Sequence, residues 1–289
     1  MANIADAAGA TPNLFVIGAM KCATSSICSY LERHPEVFFL PASDPHFFSY
    51  DENWARGLDW YRSFFSAAGE RKLIGEGSNS YTDVDVYPMA PSRIAETAPN
   101  AKLVYSVRHP IERMTSSWSQ LRAQSPDEFS HDINDAIRKR PERFVGPSFY
   151  WKQVQAYRKF FSDKQIWIGF VEDLEKDPED YFKRLSAFLE IAYEAPEQRE
   201  QFWKNKSSDR KLLDARYSAL RALPGMDVLR RYIPGSLKSF VKARLSTPAK
   251  PKSEILASLA LDDDIAASIR EDARQLLAYA GKPSDYWRF

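Results

Sequence analysis

Short apolar runs recur along the chain, and stretches with apolar residues at helical spacing lie between them. Five runs are typical of buried strands: residues 14–18, 37–40, 72–76, 102–107 and 165–171. Parallel strands can be joined only through crossover connections, which are usually helical. The alternation of the two patterns therefore predicts an α/β fold with a central parallel sheet flanked by helices.

The intervening stretches predict helices of ordinary length. The clearest covers residues 24–33, where Ile27, Tyr30 and Leu31 form the buried stripe and His34-Pro35 ends the helix. Pro110 suits the first turn of another helix, and Asp177 is a natural N-cap. Further helices are predicted over residues 53–65, 87–96, 147–161, 178–189 and 263–279. Residues 125–143 are charged and interrupted by proline, which predicts a surface excursion with one short helix.

The composition is that of a globular protein with room for a full core. The 289 residues are 44% hydrophobic and 27% charged, which fits one domain over residues 13–289 after a flexible tail, residues 1–12. A net charge of +1 argues against a general polyanion binder, so no nucleic-acid partner is expected. Two cysteines, Cys22 and Cys28, make neither a disulfide framework nor a metal site. With no signal pattern and no apolar run of about 18 residues, we expect a cytoplasmic protein without a membrane span.

The first strand leads into a loop that is suited to binding an anion. Gly18 ends the apolar run, Lys21 follows in a loop of small residues, and Thr24 and Ser25 open the next helix. Loop amides, the positive end of the helix dipole and the lysine charge would meet at one place, and either hydroxyl could cap the helix. The spacing differs from the common phosphate loop G-x-x-x-x-G-K-[ST]. Considered alone, the stretch fits a tight turn with a solvated lysine equally well.

A second anion site is predicted after the strand over residues 102–107. Arg108 follows that strand, at the edge where open parallel sheets bind ligands. Ser116 lies about two turns into the next helix, so it can face the same cleft. An arginine with a hydroxyl partner suits a second phosphate. Without the first loop, Arg108 would be interpreted as a surface ion pair.

Asp44 and His46 are candidate proton acceptors. They lie where the chain leaves the second strand, on a segment held by Phe47 and Phe48. For an isolated Asp-Pro-His sequence, an Asx-type turn with a hydrogen-bonded histidine is the more common explanation. The surrounding motifs must decide between the two.

Together these segments resemble the sulfotransferases that use 3′-phosphoadenosine 5′-phosphosulfate (PAPS), especially the bacterial members and the heparan sulfate sulfotransferase domains. The loop after the first strand is similar to the family's 5′-phosphosulfate site, which implies binding by Lys21, Cys22, Ala23, Thr24 and Ser25. The segment from Arg108 to Ser116 is similar to the 3′-phosphate site. Residues 45–48 and 57–61 resemble the acceptor side. Residues 205–210, ending at Arg210, and Trp287 resemble the late loop and the C-terminus.

The resemblance implies a three-layer P-loop-like fold and a PAPS-dependent sulfotransferase. Such an enzyme moves the sulfuryl group in line from PAPS to a hydroxyl or amine of an acceptor, here a glycan, a lipid or a small metabolite. It releases 3′-phosphoadenosine 5′-phosphate (PAP) and requires no metal. Lys21, Thr24 and the loop amides would stabilise the departing phosphate. Asp44 matches the family's base, and His46 and Glu76 are the other candidates.

Two positions differ from the family pattern. Ser43 stands where relatives carry lysine, and Gly77 stands where they often carry lysine beside the Glu76 equivalent. The absence of these two lysines leaves open another possibility, a PAPS- or PAP-binding protein with weakened catalysis. A second alternative is a nucleotide kinase with ATP at the Lys21 loop and Mg²⁺ on Glu172 or Asp173.

Overall fold

The structure is a computed structural model that describes residues 9–41, 44–125, 128–196, 211–213, 246–248 and 252–289. In this part of the chain, five strands form a sheet in the order β2-β3-β1-β4-β5, and every neighbouring pair is parallel. The strands are β1 (Leu14–Gly18), β2 (Val37–Phe39), β3 (Leu73–Gly77), β4 (Lys102–Val107) and β5 (Ile166–Phe170). The predicted parallel sheet is therefore confirmed. A separate antiparallel pair is formed by β6 (Lys211–Leu213) and β7 (Ser246–Pro248).

Helices connect the strands and cover the sheet. Those early in the chain are α1 (Thr24–Arg33), α2 (Asp51–Trp54), α3 (Gly57–Ser63), α4 (Ala90–Thr97), α5 (Pro110–Gln124) and α6 (Ile133–Lys139). The later ones are α7 (Pro141–Phe144), α8 (Tyr150–Arg158), α9 (Val171–Lys176), α10 (Pro178–Leu189), α11 (Lys252–Ser258) and α12 (Asp263–Tyr279). Single 3₁₀ turns lie at Asn79–Thr82, Gly146–Ser148 and Asp163–Gln165.

The side chains of β1 divide the interior into two cores. Leu14 and Val16 join a cluster with residues of α1 and α10, whereas Phe15 and Ile17 join a larger cluster with residues of α3, α4, α8 and α12. Successive side chains of a strand point to opposite faces, so a fully apolar strand is buried on both. Burial of each large apolar side chain contributes roughly 1.5–3 kcal/mol. The end of β1 is therefore packed on both faces of the sheet.

The strand order reverses direction at β1. The chain goes from β1 to the edge strand β2, returns to β3 beside β1, and then crosses to β4 on the other side. Parallel sheets of this kind bind ligands outside the carboxyl ends of the strands where the order reverses. The loops after β1 and β4 both begin there, and they carry Lys21 and Arg108.

Several predicted bounds agree with the structure. Helix α1, strand β4 and helices α10 and α12 have the predicted limits, and the Asp177 carboxylate caps α10 by accepting the Asp180 amide at 3.1 Å. These segments have strong periodicity and a clear start signal in the sequence. Local pattern and tertiary packing agree there.

Two expectations were wrong. The helix over residues 53–65 is broken into α2 and α3, and Gly57 stands at the junction with a φ of 84°. Residues 128–144 form two helices, α6 and α7, rather than one. Ile133, Ile137 and Phe144 pack against Trp118 of α5 in a third core. The charged residues of this region lie outside an apolar stripe formed by these side chains, and the sequence analysis did not identify that stripe.

Candidate functional site

The loop after β1 has an unusual backbone conformation. Gly18 has a φ of 140°, and a Cβ atom there would lie 2.1 Å from Oγ1 of Thr82. That hydroxyl donates a hydrogen bond to the Ile17 carbonyl at 3.0 Å, so it is fixed in place. Lys21 and Ala23 have φ angles of 76° and 58°, in the left-handed region that side chains rarely adopt. Such conformations persist where surrounding contacts enforce them, and they cluster at functional sites.

Strand β4 and helix α8 fix this loop. The Ala19 amide donates to the Ser106 carbonyl at 2.7 Å, and the Ser106 hydroxyl donates to the Cys22 carbonyl at 2.5 Å. The Cys22 side chain is fully buried, with Sγ 3.7 Å from the Tyr150 hydroxyl. Burial raises the pKa of Cys22 to about 11, so the thiol stays protonated. Cys22 therefore turns its side chain into the core and contributes to the predicted anion site only through its backbone.

Helix α1 begins directly after the loop, without a side-chain cap. Its N-cap residue is Ala23, so the predicted capping by Thr24 or Ser25 is wrong. Thr24 is the first helical residue and donates its hydroxyl to Oδ1 of Asn79 at 3.2 Å, whereas Ser25 is exposed. The first amides of a helix have no partner within the helix, and together with the dipole they attract anions.

Lys21 and Arg108 lie on the same edge of the sheet. Nη1 of Arg108 donates to the Lys21 carbonyl at 3.3 Å, which places the guanidinium against the first loop. Nζ of Lys21 donates to Oε1 of Gln120 at 2.6 Å, and Nη2 of Arg108 pairs with Oε2 of Glu112 at 3.0 Å. The two residues that sequence reasoning assigned to separate anion sites thus lie beside each other, while their charged groups contact different residues of α5. A ligand with two anionic groups can contact both.

One face of α5 carries the residues that contact Lys21 and Arg108. Glu112, Ser116 and Gln120 are spaced four residues apart, so they lie on one face of the helix. Ser116, predicted from the sequence, stands between the residues that bind Arg108 and Lys21. Sequence reasoning missed Glu112 and Gln120, although their spacing from Ser116 could have identified them.

A second group of side chains surrounds His46. Its Nδ1 lies 2.7 Å from the Ser80 hydroxyl, which in turn lies 2.6 Å from the Ser49 hydroxyl. Its Nε2 lies 4.0 Å from Oδ2 of Asp44, and its ring stacks on Tyr50. The two side chains proposed from the sequence as proton acceptors, Asp44 and His46, are therefore adjacent. Both remain partly exposed.

The surroundings shift the pKa values of this pair. Burial raises the pKa of Asp44, against the opposing effects of His46 and of a hydrogen bond from Asn79. Burial lowers the pKa of His46, against the opposing effect of Asp44. Both shifts favour the neutral forms of the two side chains, because burial disfavours charge. Asn79 also accepts a hydrogen bond from Thr24, so it links the donor loop to this pair.

Glu76 lies behind the pair in the core. It is fully buried and accepts hydrogen bonds from the hydroxyls of Tyr81 at 2.6 Å, Ser78 at 3.0 Å and Tyr61 at 3.2 Å. Burial raises the pKa of Glu76 to about 7, although the three hydrogen bonds oppose the shift. The Ser78 hydroxyl also accepts the His46 amide at 3.1 Å. Glu76 thus supports the backbone of His46, and its enclosure favours that role over direct contact with an acceptor.

The position after Glu76 leaves little space for a side chain. A Cβ atom on Gly77 would lie 2.9 Å from Sγ of Cys28 and 3.4 Å from Cβ of Val16. A lysine at this position would require Cys28 to move. Cys28 thus occupies the space into which a side chain at position 77 would point.

The carboxylates required by the kinase alternative are already bound within the protein. Oε1 of Glu172 accepts the His109 amide at 2.7 Å, and Asp173 pairs with Lys282 and Tyr286, each at 2.7 Å. Among the described residues, no group of three or more His, Cys, Asp or Glu side chains could hold a metal ion.

In the same part of the chain, no helix has the length and apolar character needed to cross a membrane. Arg210 lies outside the described residues.

Comparison with known proteins identifies similar chains. The sulfotransferase domain family model matches residues 11–213. Over 185 residues the chain is 35% identical to human heparan sulfate glucosamine 3-O-sulfotransferase 6, a match covering 62% of this chain and 52% of that protein. It is 29% identical to mouse heparan sulfate glucosamine 3-O-sulfotransferase 3A1, covering 62% of this chain and 45% of that protein. The chain thus spans about half the length of the curated relatives it matches.

A solved structure shows the same fold. A sulfotransferase from Alicyclobacillus acidocaldarius superposes with a TM-score of 0.64 over 97% of this chain and 100% of that chain, at 21% sequence identity. This likeness confirms the predicted three-layer P-loop-like arrangement.

Proposed function

The chain belongs to the sulfotransferase domain family, and on that premise we propose that it transfers the sulfuryl group of PAPS to a hydroxyl or amine. One observation carries the proposal: the Arg108 guanidinium lies against the carbonyl of Lys21, at the carboxyl ends of two neighbouring parallel strands. PAPS has a phosphosulfate and a separate 3′-phosphate, so it needs two cationic sites on one edge of the sheet. A donor with a single anionic group would use only one of them.

The residues of the site fit this donor. Lys21, Thr24, Ser25 and the loop amides would hold the phosphosulfate, and Arg108 with Ser116 would hold the 3′-phosphate. Nε of Arg108 is buried without a hydrogen-bond partner among the described residues, a donor that a phosphate oxygen would satisfy. PAPS itself supplies the activated sulfuryl group. Lys21 stabilises the negative charge that develops on the departing phosphate, and the rigid loop holds its amides in place for the same task.

Asp44 is the proposed base, with His46 beside it. Its carboxylate is accessible, lies 4.0 Å from Nε2 of His46, and is connected to the donor loop through Asn79 and Thr24. His46 is oriented by Ser80 and Ser49, and Glu76 supports it through Ser78. In this arrangement Asp44 takes the acceptor proton and His46 positions Asp44. Glu76 stays in the core and supports His46 through Ser78.

The acceptor is proposed as a glycan, a lipid or a small metabolite. The names of the relatives describe sulfation of glucosamine in heparan sulfate, which favours testing amino sugars first. Trp54 and Trp60 pack on Phe47, directly after His46. Such aromatic surfaces suit a sugar ring or another flat apolar group.

The test is transfer from ³⁵S-labelled PAPS to a panel of glucosamine oligosaccharides, lipids and phenols, without added magnesium and with EDTA present. We expect labelled product from at least one class and stoichiometric release of PAP. ATP turnover that depends on magnesium, with no transfer from PAPS, would instead support the kinase alternative.

The tight space at Gly77 favours one further candidate function. Gly77 has no side chain, and Cys28 occupies the space into which one would point, so position 77 supplies no cation near the acceptor pair. Such a protein would bind PAP and PAPS with little transfer. Donor binding without any labelled product in the panel would favour this function.

A further inference from the structure

Arg108 already has an anionic partner in the structure. Nη2 of Arg108 lies 3.0 Å from Oε2 of Glu112, and the two side chains retain 15% and 32% of their exposed surface. Glu112 lies in the first turn of α5 and Arg108 in the loop just before it, and no acceptor or base role is assigned to Glu112 in the proposed function. The pair therefore needs an explanation of its own.

A role in helix stability explains little of this geometry. Ion pairs four residues apart on exposed helices stabilise them only slightly, because water screens the charges. Here the arginine precedes the helix, in the loop that follows β4, and its other nitrogen contacts the Lys21 carbonyl. Glu112 thus holds the guanidinium between α5 and the donor loop. It fixes the side chain whose charge the 3′-phosphate needs.

The same contact opposes phosphate binding. A phosphate that binds Arg108 brings up to two negative charges close to the Glu112 carboxylate. At an effective dielectric of about 20, like charges separated by about 6 Å repel by enough to change an affinity tenfold or more. A carboxylate in this position orients the arginine and at the same time limits how tightly the arginine binds the phosphate.

We infer that Glu112 sets the affinity of the site for ligands with a 3′-phosphate and speeds the release of PAP. The inference rests on the proposed function, in which Arg108 binds that phosphate. Glu112 is a positioning residue: it touches Arg108 and acts through that side chain. An enzyme whose product differs from its donor only by the transferred group benefits from such a limit, because tight binding of the donor otherwise means slow release of the product.

The test measures ligand affinity in a variant that keeps the shape of the side chain. Glu112→Gln retains a hydrogen-bond acceptor for Arg108 and removes the charge. We expect PAP to bind about tenfold more tightly and to dissociate correspondingly more slowly, measured by calorimetry and stopped-flow. Adenosine 5′-monophosphate, which lacks the 3′-phosphate, should bind within twofold of wild type.

A matched control is Glu179→Gln on α10, where the carboxylate pairs with Lys183 at 2.6 Å, also four residues away. This control should leave PAP affinity unchanged. If Glu112→Gln fails to fold, Glu112→Ala provides the same charge removal and should also tighten PAP binding, by a smaller factor since the hydrogen bond is lost.

The outcomes are distinct. Unchanged or weaker PAP binding in Glu112→Gln would overturn the inference, and so would an equal gain for both nucleotides. If wild type binds PAP no better than adenosine 5′-monophosphate, the proposed 3′-phosphate site fails first, and the inference fails with it.

Discussion

The donor edge and the acceptor-side group are built in different ways. On the donor edge, defined by the loop after β1 with Lys21 and by Arg108, two cations contact carbonyl, amide and carboxylate oxygens of the protein. The acceptor-side group, defined by Asp44, His46 and Glu76, is a set of titratable residues joined by serine hydroxyls in front of an aromatic core.

The difference indicates how the two regions would work. The donor edge depends on charge and on backbone geometry at strand ends, so its function should be insensitive to pH near neutrality. The acceptor-side group depends on burial, partial for Asp44 and complete for Glu76, which raises the pKa of both carboxyl groups. Binding and proton transfer should therefore respond separately to mutation and to pH.

Substitution of the lysine on the donor edge should have the largest effect. We expect Lys21→Ala to lower kcat with PAPS by about 10³-fold, because the departing phosphate loses a cation placed in advance. PAP affinity should fall much less. The measurement is turnover with labelled PAPS beside PAP calorimetry, with Lys139→Ala on α6 as the matched control. Retention of most of the activity would show that another group stabilises the leaving phosphate.

Substitution on the acceptor side should separate binding from turnover. We expect Asp44→Asn to lower kcat by about 10²-fold and to leave PAP affinity unchanged, because only proton removal is lost. Asp51→Asn, an exposed carboxylate paired with Arg93, is the control. Full turnover in Asp44→Asn would reject Asp44 as the base and leave His46 as the candidate.

The buried carboxylate should make stability depend on pH. The pKa of Glu76 rises from 4.5 to about 7 on folding, so the folded state holds this proton more tightly than the unfolded state. Wild type should lose about 3 kcal/mol of unfolding free energy relative to Glu76→Gln as the pH rises from about 4.5 to above 7. Urea unfolding of both proteins across this range is the measurement. Equal pH profiles would mean that Glu76 is solvated.

Substitution of the arginine on the donor edge should have the smallest effect. Arg108→Ala should weaken PAP binding by roughly 10- to 30-fold, since one charge-assisted contact is lost. The kcat at saturating PAPS should change by less than about threefold, because Arg108 does not touch the reacting group. Arg274→Ala on α12, which loses an exposed pair with Glu271, is the control. A loss mainly in kcat would place Arg108 in the chemistry.

Local signals predicted the parts of the site that lie at strand ends. Lys21 and Arg108 could be located because a strand, a short loop and a helix start are each visible in sequence. The contact of Gln120 with Lys21 joins residues 99 positions apart, whereas the spacing of Glu112 from Arg108 and Ser116 was a local signal that went unused. Glu76 could be named as a candidate base, but its enclosure by Tyr61, Ser78 and Tyr81 depends on packing that no local pattern reveals.

The sequence by itself determined the α/β class, the parallel sheet and the two cation-bearing loops, because hydrophobic periodicity and turn residues act over a few positions. The tertiary structure decided which strands are neighbours, and hence that Arg108 lies against the carbonyl of Lys21. It also decided the burial that raises the pKa of Glu76 and turns the Cys22 thiol into the core. Those properties depend on solvent exclusion and on contacts between distant segments, which exist only once the chain has folded.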